Sequence, residues 1–500
     1  MHEIIGVVGA GIMGRGIIQL FAQSGHRVVC FDAVEGAAAK AIDFVGGMIR
    51  RAVEKQRLSA EAGDAAIARM SAVTMLAELA PCDVVVEAVV EELGVKRQLF
   101  AVLEGIVGER AILASNTSSL LVSDIAAGAK RPERIAGLHF FNPVPLMKVV
   151  EVVAAVHTSA ATVAALGALV GTTGHRAVVT ADQPGFLVNH AGRAFPTEAL
   201  RILEERVADH EDIDALLRDA AGFRMGPFEL LDLTGLDVSG KVMESIYEQF
   251  HGEPRYRPSS LVPPRVSAGL YGRKTERGWY AYANDKKVEK AVRARPTLPA
   301  DLTVWIDPHA SRHASLVALC TQAGVDLVDR GAAMLQIVQP WGTDATTYSV
   351  AQGLDAKRVV AVDPLPEPGA RATLMLTVAT SAETRDAALA LLFTGGEVTV
   401  INDSPGYVVQ RVLAHVVNVA CGIAQRGIAS VDDLESAVQL GLGYPRGPLA
   451  WGDAIGSARI LEILRSIEQS TGDPRYRPTL WLTRRVALGL SLLTPDPARS

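Results

Sequence analysis

The stretch Ile4-Ile5-Gly6-Val7-Val8-Gly9-Ala10-Gly11-Ile12-Met13-Gly14-Arg15-Gly16 constrains this chain more than any other. Its first five residues are apolar and largely β-branched, as a buried parallel strand requires, and Gly9, Gly11 and Gly14 then fit G-x-G-x-x-G. Gly9 permits a tight turn, Gly11 lets backbone approach a pyrophosphate, and Gly14 lets a following helix pack closely on the strand. Ile17, Leu20 and Phe21 recur at helical spacing, Gly25-His26 stops that helix, and Arg27-Val28-Val29-Cys30-Phe31 reads as a second strand ending in Asp32. Asp32 falls eighteen residues after Gly14, where a carboxylate accepts hydrogen bonds from an adenosine ribose. Ala33 and Val34 follow it instead of an arginine, so NAD is favoured over NADP.

Five hundred residues allow about three or four domains. A net charge of -6 offers no basic field for nucleic acid, and Cys30, Cys82, Cys320 and Cys421 lie too far apart for metal-ligand or disulfide-framework spacing. A reducing cytoplasm is the expected home. The N-terminus enters a strand at once, without a signal-peptide pattern. The most membrane-like segment, 149–171, contains Glu151 and His157 and reads as a buried strand and helix.

Further along, residues 35–69 read as a helical hairpin with Lys55 and Arg57 near its turn, where a solvated face is the plain reading. Strands are expected at 73–75, 82–89, 111–114, 135–138 and 148–153. Carboxyl ends of parallel strands are where ligands bind, which draws attention to Glu91 and Lys96, to Ser115-Asn116-Thr117-Ser118-Ser119 and to His139-Phe140-Phe141-Asn142-Pro143-Val144-Pro145. Removing hydride from a secondary alcohol also requires a base for the hydroxyl proton, and histidine suits that task near neutral pH. Such a histidine needs an acceptor for its other nitrogen. Glu151, a carboxylate inside an apolar strand, is costly unless paired and is the candidate partner of His139.

Together, Gly9-x-Gly11-x-x-Gly14, Glu87-Ala88-x-x-Glu91, Ser115 to Ser119, His139-Phe140-Phe141-Asn142-Pro143-x-Pro145 and Glu151 resemble the L-3-hydroxyacyl-CoA dehydrogenase family, from the N-terminus to about residue 285. The resemblance implies an α/β Rossmann-type NAD-binding domain followed by an all-α domain, and NAD-dependent, reversible oxidation of a (3S)-3-hydroxyacyl-CoA as in β-oxidation. It implies His139 as general base, Glu151 as its orienting partner, and Ser118 and Asn189 as polar groups at the reacting oxygen. It further implies cofactor contacts from Gly9, Gly11, Ile12, Met13, Gly14, Asp32, Glu91, Lys96, Ser118 and Asn142, and a CoA-phosphate contact from Lys55. The family often carries arginine after the asparagine; this chain has His190. Acyl chains of the tandem members are 3-hydroxybutyryl or 3-hydroxyadipyl, the latter in phenylacetate catabolism; Arg224 and Arg273 are candidates for a second carboxylate.

From Pro184 the pattern turns helical, and the second half then repeats the first. An offset of 221 maps Pro184-Gly185-Phe186 onto Pro405-Gly406-Tyr407 and Gly226-Pro227 onto Gly447-Pro448; an offset of 220 maps Pro254-Arg255-Tyr256-Arg257 onto Pro474-Arg475-Tyr476-Arg477. The chain therefore divides into an NAD-binding Rossmann domain (1–183), a helical domain (184–287), a reduced Rossmann-like domain (288–402) and a second helical domain (403–500). The third segment offers Asp307-Pro308-His309 where a glycine turn would stand, and Asn189 maps to Gln410, so this copy is degenerate. An internal pseudo-dimer, or a homodimer, is expected, with no nucleic-acid or membrane partner. The alternatives are a β-hydroxyacid dehydrogenase acting on a small non-CoA acid, and a non-catalytic NAD-binding protein.

Overall fold

In the computed structural model, which describes residues 3–288 and 295–497, the chain forms two units by internal contact. The first comprises residues 3–190 together with 426–442; the second comprises 191–425 and 443–497. Residues 289–294, within the expected start of the third segment, lie outside the described residues.

The first unit is an eight-stranded sheet in the order β3-β2-β1-β4-β5-β6-β7-β8. The strands are β1 Ile4–Val8, β2 Arg27–Phe31, β3 Met70–Ala72, β4 Val84–Glu87, β5 Ile112–Ser115, β6 Ile135–Phe140, β7 Val149–Ala154 and β8 Arg176–Ala181. Its helices are α1 Ile12–Gln23, α2 Ala37–Glu54, α3 Ala60–Ala68, α4 Leu93–Glu104, α5 Val122–Ile125, α6 Ala160–Gly171 and α7 Val188–Ala191. Near-continuous apolar strands follow from burial on both faces: Val7, Val28, Val86, Leu138 and Val152 pack on one side, Val8, Val85, Leu113 and Val153 on the other. All neighbouring strands are parallel except β6 and β7, which run antiparallel.

The expected strand at 73–75 lies three residues earlier. Met70 is buried in register with Val28, while the N–H groups of Thr74 and Met75 donate to the Glu78 carboxylate and turn the chain. The helical pattern that begins after Pro184 forms two pieces at its start, with Phe186 itself at φ 48° and α7 separate from α8 Ala194–Glu204. Segment 149–171 is β7 and α6, and no helix among the described residues is long and apolar enough to cross a membrane.

The second unit holds α8, α9 His210–Asp219, α10 Pro227–Thr234, α11 Leu236–Gln249, α12 Val262–Ser267 and a hairpin of β9 Tyr282–Ala283 and β10 Lys286–Lys287. A six-stranded sheet follows in the order β12-β11-β13-β14-β15-β16, from β11 Thr303–Ile306, β12 Asp326–Leu327, β13 Leu335–Val338, β14 Val359–Val362, β15 Ala372–Leu376 and β16 Val398–Ile401. It carries α13 His313–Gln322, α14 Ala345–Ala351 and α15 Ala382–Phe393, and again one neighbouring pair, β14 and β15, is antiparallel. The almost wholly buried α16 Val409–Gln425 centres the remaining helices, and α17 Val431–Leu442 leaves this unit to pack on β7 and β8 of the first.

Candidate active site

The glycine turn owes its shape to steric exclusion. Gly9 has φ 110°, and a Cβ there would lie 2.5 Å from the Ala88 carbonyl oxygen; at Gly14 it would lie 1.9 Å from that of Gly9. A Cβ at Gly11 would meet no protein atom within 4 Å, so the turn is open where a pyrophosphate would approach the first residues of α1, Ile12 and Met13. Asp32 closes the arrangement. Its carboxylate accepts the N–H of Ala10 at 2.7 Å and of Val34 at 2.8 Å, tying the end of β2 to the turn.

At the ends of β4 and β5 lies a polar cluster whose internal connections no sequence pattern announces. Glu87, fully buried, accepts the Lys96 ammonium at 2.7 Å and the Ser115 hydroxyl at 2.6 Å. Lys96 is itself buried and reaches Glu91 at 3.1 Å. The other Glu91 oxygen accepts the Thr117 hydroxyl (2.7 Å) and the N–H groups of Ser118 (2.9 Å) and Ser119 (3.1 Å). Burial works against this carboxylate, but the Thr117 hydroxyl and the Lys96 ammonium hold its pKa below the ordinary value. Lys96 thus bridges Glu87 and Glu91, and Glu91 holds the serine loop, leaving the Ser118 side chain exposed at the strand ends.

His139 lies within β6, one residue before its end, and is paired in register with Glu151 on β7. In an antiparallel pair, opposite side chains project to the same face. The His139 Nδ1 and Glu151 Oε2 atoms are 2.5 Å apart, with the histidine 5% exposed and the glutamate fully buried. Glu151 Oε1 accepts the N–H groups of Leu187 at 2.9 Å and Val188 at 2.7 Å, so the carboxylate also holds the turn that presents Asn189. An acceptor at Nδ1 directs the ring proton there and leaves Nε2 with its lone pair. The ring is packed by Phe141 and Phe186, at centroid distances of 4.4 and 5.8 Å, and Asn116 accepts the Phe140 N–H at 2.9 Å.

Lys55 lies beyond the end of α2 on the wall of a cavity of 570 Å³. Arg15, Arg51 and Arg57 line it too, with Phe44, Met48, Val144 and Leu146 supplying apolar surface and Ile12 and Asn142 standing at the same wall. Arg15 and Arg51 are not among the residues the sequence singles out, although the four-residue spacing of Arg51 and Lys55 on one helix is a usable signal. Of the two arginines suggested for a second carboxylate, Arg273 lies over the Tyr282 ring at 5.6 Å and Arg224 is exposed.

Comparison with known families matches residues 4–183 to the "3-hydroxyacyl-CoA dehydrogenase, NAD binding domain" and residues 185–282 and 406–492 to the "3-hydroxyacyl-CoA dehydrogenase, C-terminal domain". The chain is 36% identical to the 3-hydroxyadipyl-CoA dehydrogenase of Escherichia coli (strain K12), over 97% of this chain and 98% of that one. It is 39% identical to the 3-hydroxybutyryl-CoA dehydrogenase of Bradyrhizobium diazoefficiens, over 57% of this chain and 97% of the relative. A solved structure of a 3-hydroxybutyryl-CoA dehydrogenase from Escherichia coli K12 superposes with a TM-score of 0.87 at 35% identity, covering 98% of this chain and 99% of that chain.

Proposed function

The chain belongs to the 3-hydroxyacyl-CoA dehydrogenase family, NAD-dependent oxidoreductases of 3-hydroxyacyl-CoA, and on that premise we propose that its reaction runs at the His139–Glu151 pair. The residues present fit NAD: an open glycine cradle at the start of α1, and a carboxylate at the end of β2 for the ribose diol. When bound, NAD supplies the hydride acceptor for C3 of the substrate. His139 Nε2 takes the hydroxyl proton, and the buried Glu151 carboxylate stabilises the imidazolium while its two backbone bonds keep it from rotating. Run backwards, the imidazolium returns the proton and the 3-oxo group is reduced.

Ser118 and Asn189 hold the reacting oxygen. Asp32, Ser118 and Asn142 face the cofactor, with Glu91 and Lys96 acting by shaping the serine loop. Lys55, joined by Arg51 and Arg57, takes the CoA phosphates, and the apolar wall of their cavity suits the pantetheine arm. The observation that carries this reading is the imidazole–carboxylate contact across β6 and β7. The full-length likeness to a protein named 3-hydroxyadipyl-CoA dehydrogenase makes (3S)-3-hydroxyadipyl-CoA the first substrate of choice and 3-hydroxybutyryl-CoA the second. A cytoplasmic home agrees with four buried, unbridged cysteines and a bacterial relative of the same length.

We read the second half as a degenerate copy folded against the first, an internal pseudo-dimer. Reciprocal hydrogen bonds support it. Ala181 N–H donates to Ile428 O at 2.7 Å, and the positions 221 residues away exchange roles, Asn402 N–H donating to Val207 O at 2.8 Å. Likewise Arg255 donates to Arg477 O at 2.7 Å and Arg475 to Arg257 O at 2.9 Å. In the second copy the matching polar groups bind one another: Gln339 accepts the Arg312 N–H at 2.8 Å at the start of α13, and Gln410, standing for Asn189, donates to Asp363 at 2.8 Å. A truncation after Asn284 that remained soluble, monomeric and fully active would count against the pseudo-dimer.

The test is NADH oxidation with acetoacetyl-CoA, followed by NAD reduction with each 3-hydroxyacyl-CoA. Turnover with a higher kcat/KM for 3-hydroxyadipyl-CoA is expected. NADH binding without turnover of any of these thioesters would overturn the catalytic assignment.

A further inference from the structure

Residues 426–442 belong to the second repeat in sequence, yet they pack within the unit that holds His139 and Glu151. Three sets of contacts seat them there. Along β8, Ala181 N–H donates to Ile428 O, Val179 N–H donates to Asp433 at 3.3 Å, and the Arg176 guanidinium meets Asp433 at 3.1 Å, which covers an otherwise open sheet edge. In α17, Gly441 lies so close to Val188 and Val149 that a Cβ on it would come within 3.0 Å and 3.3 Å of their methyl groups. Before α17, an Arg426 terminal nitrogen is 3.1 Å from Nε2 of the fully buried His190.

A guanidinium can only donate, so Nε2 of His190 is the acceptor. His190 follows Asn189 in α7, whose first residue, Val188, donates its N–H to Glu151 together with that of the preceding Leu187. The short turn carrying Asn189 is therefore held from one side by the carboxylate that orients His139, and from the other by Arg426 and Gly441 of the second repeat. Within the same chain the corresponding positions carry the opposite polarity: 221 residues after His190 stands Arg411, 221 residues before Arg426 stands Glu205, and those two meet at 2.7 Å.

We propose that Arg426, supplied by the second repeat, is a positioning residue for the first repeat's active site: through His190 it fixes the turn that carries Asn189 and braces Glu151 against His139. This rests on the assignment of His139 and Glu151 as the reacting pair. It gives the degenerate half a task that needs no cofactor, since misplacing a reacting group by an ångström costs large factors in rate.

The experiment compares kcat for acetoacetyl-CoA, the NADH Kd and the thermal midpoint in the full-length enzyme. Arg426→Ala lowers kcat by about tenfold or more while the NADH Kd, set at the glycine turn, stays within about twofold. His190→Arg, which opposes two guanidinium groups, lowers kcat comparably. The double variant His190→Arg with Arg426→Glu rebuilds the Arg411–Glu205 type of pair and recovers most of the loss. Should Arg426→Ala fail to fold, Arg426→Lys and the double exchange carry the comparison, and Gly441→Leu, which pushes on Val188, lowers kcat independently. Wild-type kcat in Arg426→Ala, or a loss that the double exchange does not recover at temperatures well below its midpoint, overturns the proposal. A wild type inactive on acetoacetyl-CoA fails the catalytic assignment instead; an active wild type with inactive His139→Ala and fully active Arg426→Ala fails only the positioning role.

Discussion

Glu151 stands directly opposite His139 on the antiparallel pair of the first sheet, its Oε2 2.5 Å from the imidazole Nδ1 and its Oε1 accepting two backbone N–H groups. Both carboxylate oxygens are thus engaged, and the contact at Nδ1 leaves the imidazole Nε2 with its lone pair. His139→Ala and Glu151→Gln should each lower kcat for acetoacetyl-CoA reduction by about 10² or more. NADH affinity, measured by fluorescence titration, should change little, because the glycine turn is untouched. An Nε2-methylated imidazole analogue at position 139 should be inactive as well, which separates loss of the base from loss of packing.

The basic cavity predicts a division of labour. Lys55→Ala and Arg51→Ala should each raise the KM for acetoacetyl-CoA by about tenfold, the size of one charge-assisted hydrogen bond, with kcat nearly unchanged. With an acetoacetyl thioester of N-acetylcysteamine, which lacks the nucleotide, the same substitutions should leave KM where the wild type has it. Equal effects on both thioesters would remove the phosphates from this wall.

Lys96 is 1% exposed and lies between the carboxylates of Glu87 and Glu91. Lys96→Ala leaves Glu87 buried without its cation, which should destabilise the protein by about 3–5 kcal/mol in urea unfolding. NADH binding should weaken too, since the serine loop hangs from Glu91. Replacing Glu87 and Lys96 together by Gln and Met should be milder than Lys96→Ala alone, since the fully buried Glu87 charge goes with its cation and only the partly exposed Glu91 loses a partner.

Asp363, just past the end of β14, is buried, and that burial pushes its carboxyl up to about 6 against the opposing pull of the Leu365 N–H and the Gln410 amide. Its pKa is higher folded than the ordinary value of 3.8. The folded state therefore binds the proton more tightly, and its contribution to stability is complete below about pH 4 and lost as pH rises through about 6. At about 1.4 kcal/mol per pH unit, Asp363 should cost the protein roughly 3 kcal/mol at pH 8 relative to pH 4. Asp363→Asn, the residue that the first repeat carries at the matching position, Asn142, should flatten this part of the stability profile in chemical denaturation measured from pH 4 to 8.

Much of the site is legible in the sequence, and the gaps have a common cause. The glycine turn, β1, β2 and Asp32 stand where the spacing predicts them, and so do the hairpin of α2 and α3 and the repeat of the second helical segment. His139 and Glu151 are recognisable as a histidine and a buried acid on successive strands. That β7 runs antiparallel to β6, and so brings those two side chains opposite one another, is not, because strand direction depends on the connection and on what covers the sheet. Glu91 and Lys96 are recognisable as strand-end groups, but their pairing with Glu87 and the serine loop follows from burial. Arg426 lies 236 residues from His190 and carries no motif at all.

The amino-acid order settles what near neighbours settle: left-handed glycine in a tight turn, apolar runs that must be buried as strands, helical period, and a repeat at a nearly constant offset. Those properties depend on φ, side-chain branching and spacing within a few residues, and they survive any arrangement of the rest of the chain. Tertiary packing was needed to set which oxygen of Glu151 meets His139, to bring four basic side chains onto one cavity wall with Asn142, and to lay a segment of the second half against the turn carrying Asn189. Register, burial and long-range pairing sum over residues hundreds of positions apart, and no local pattern encodes that sum.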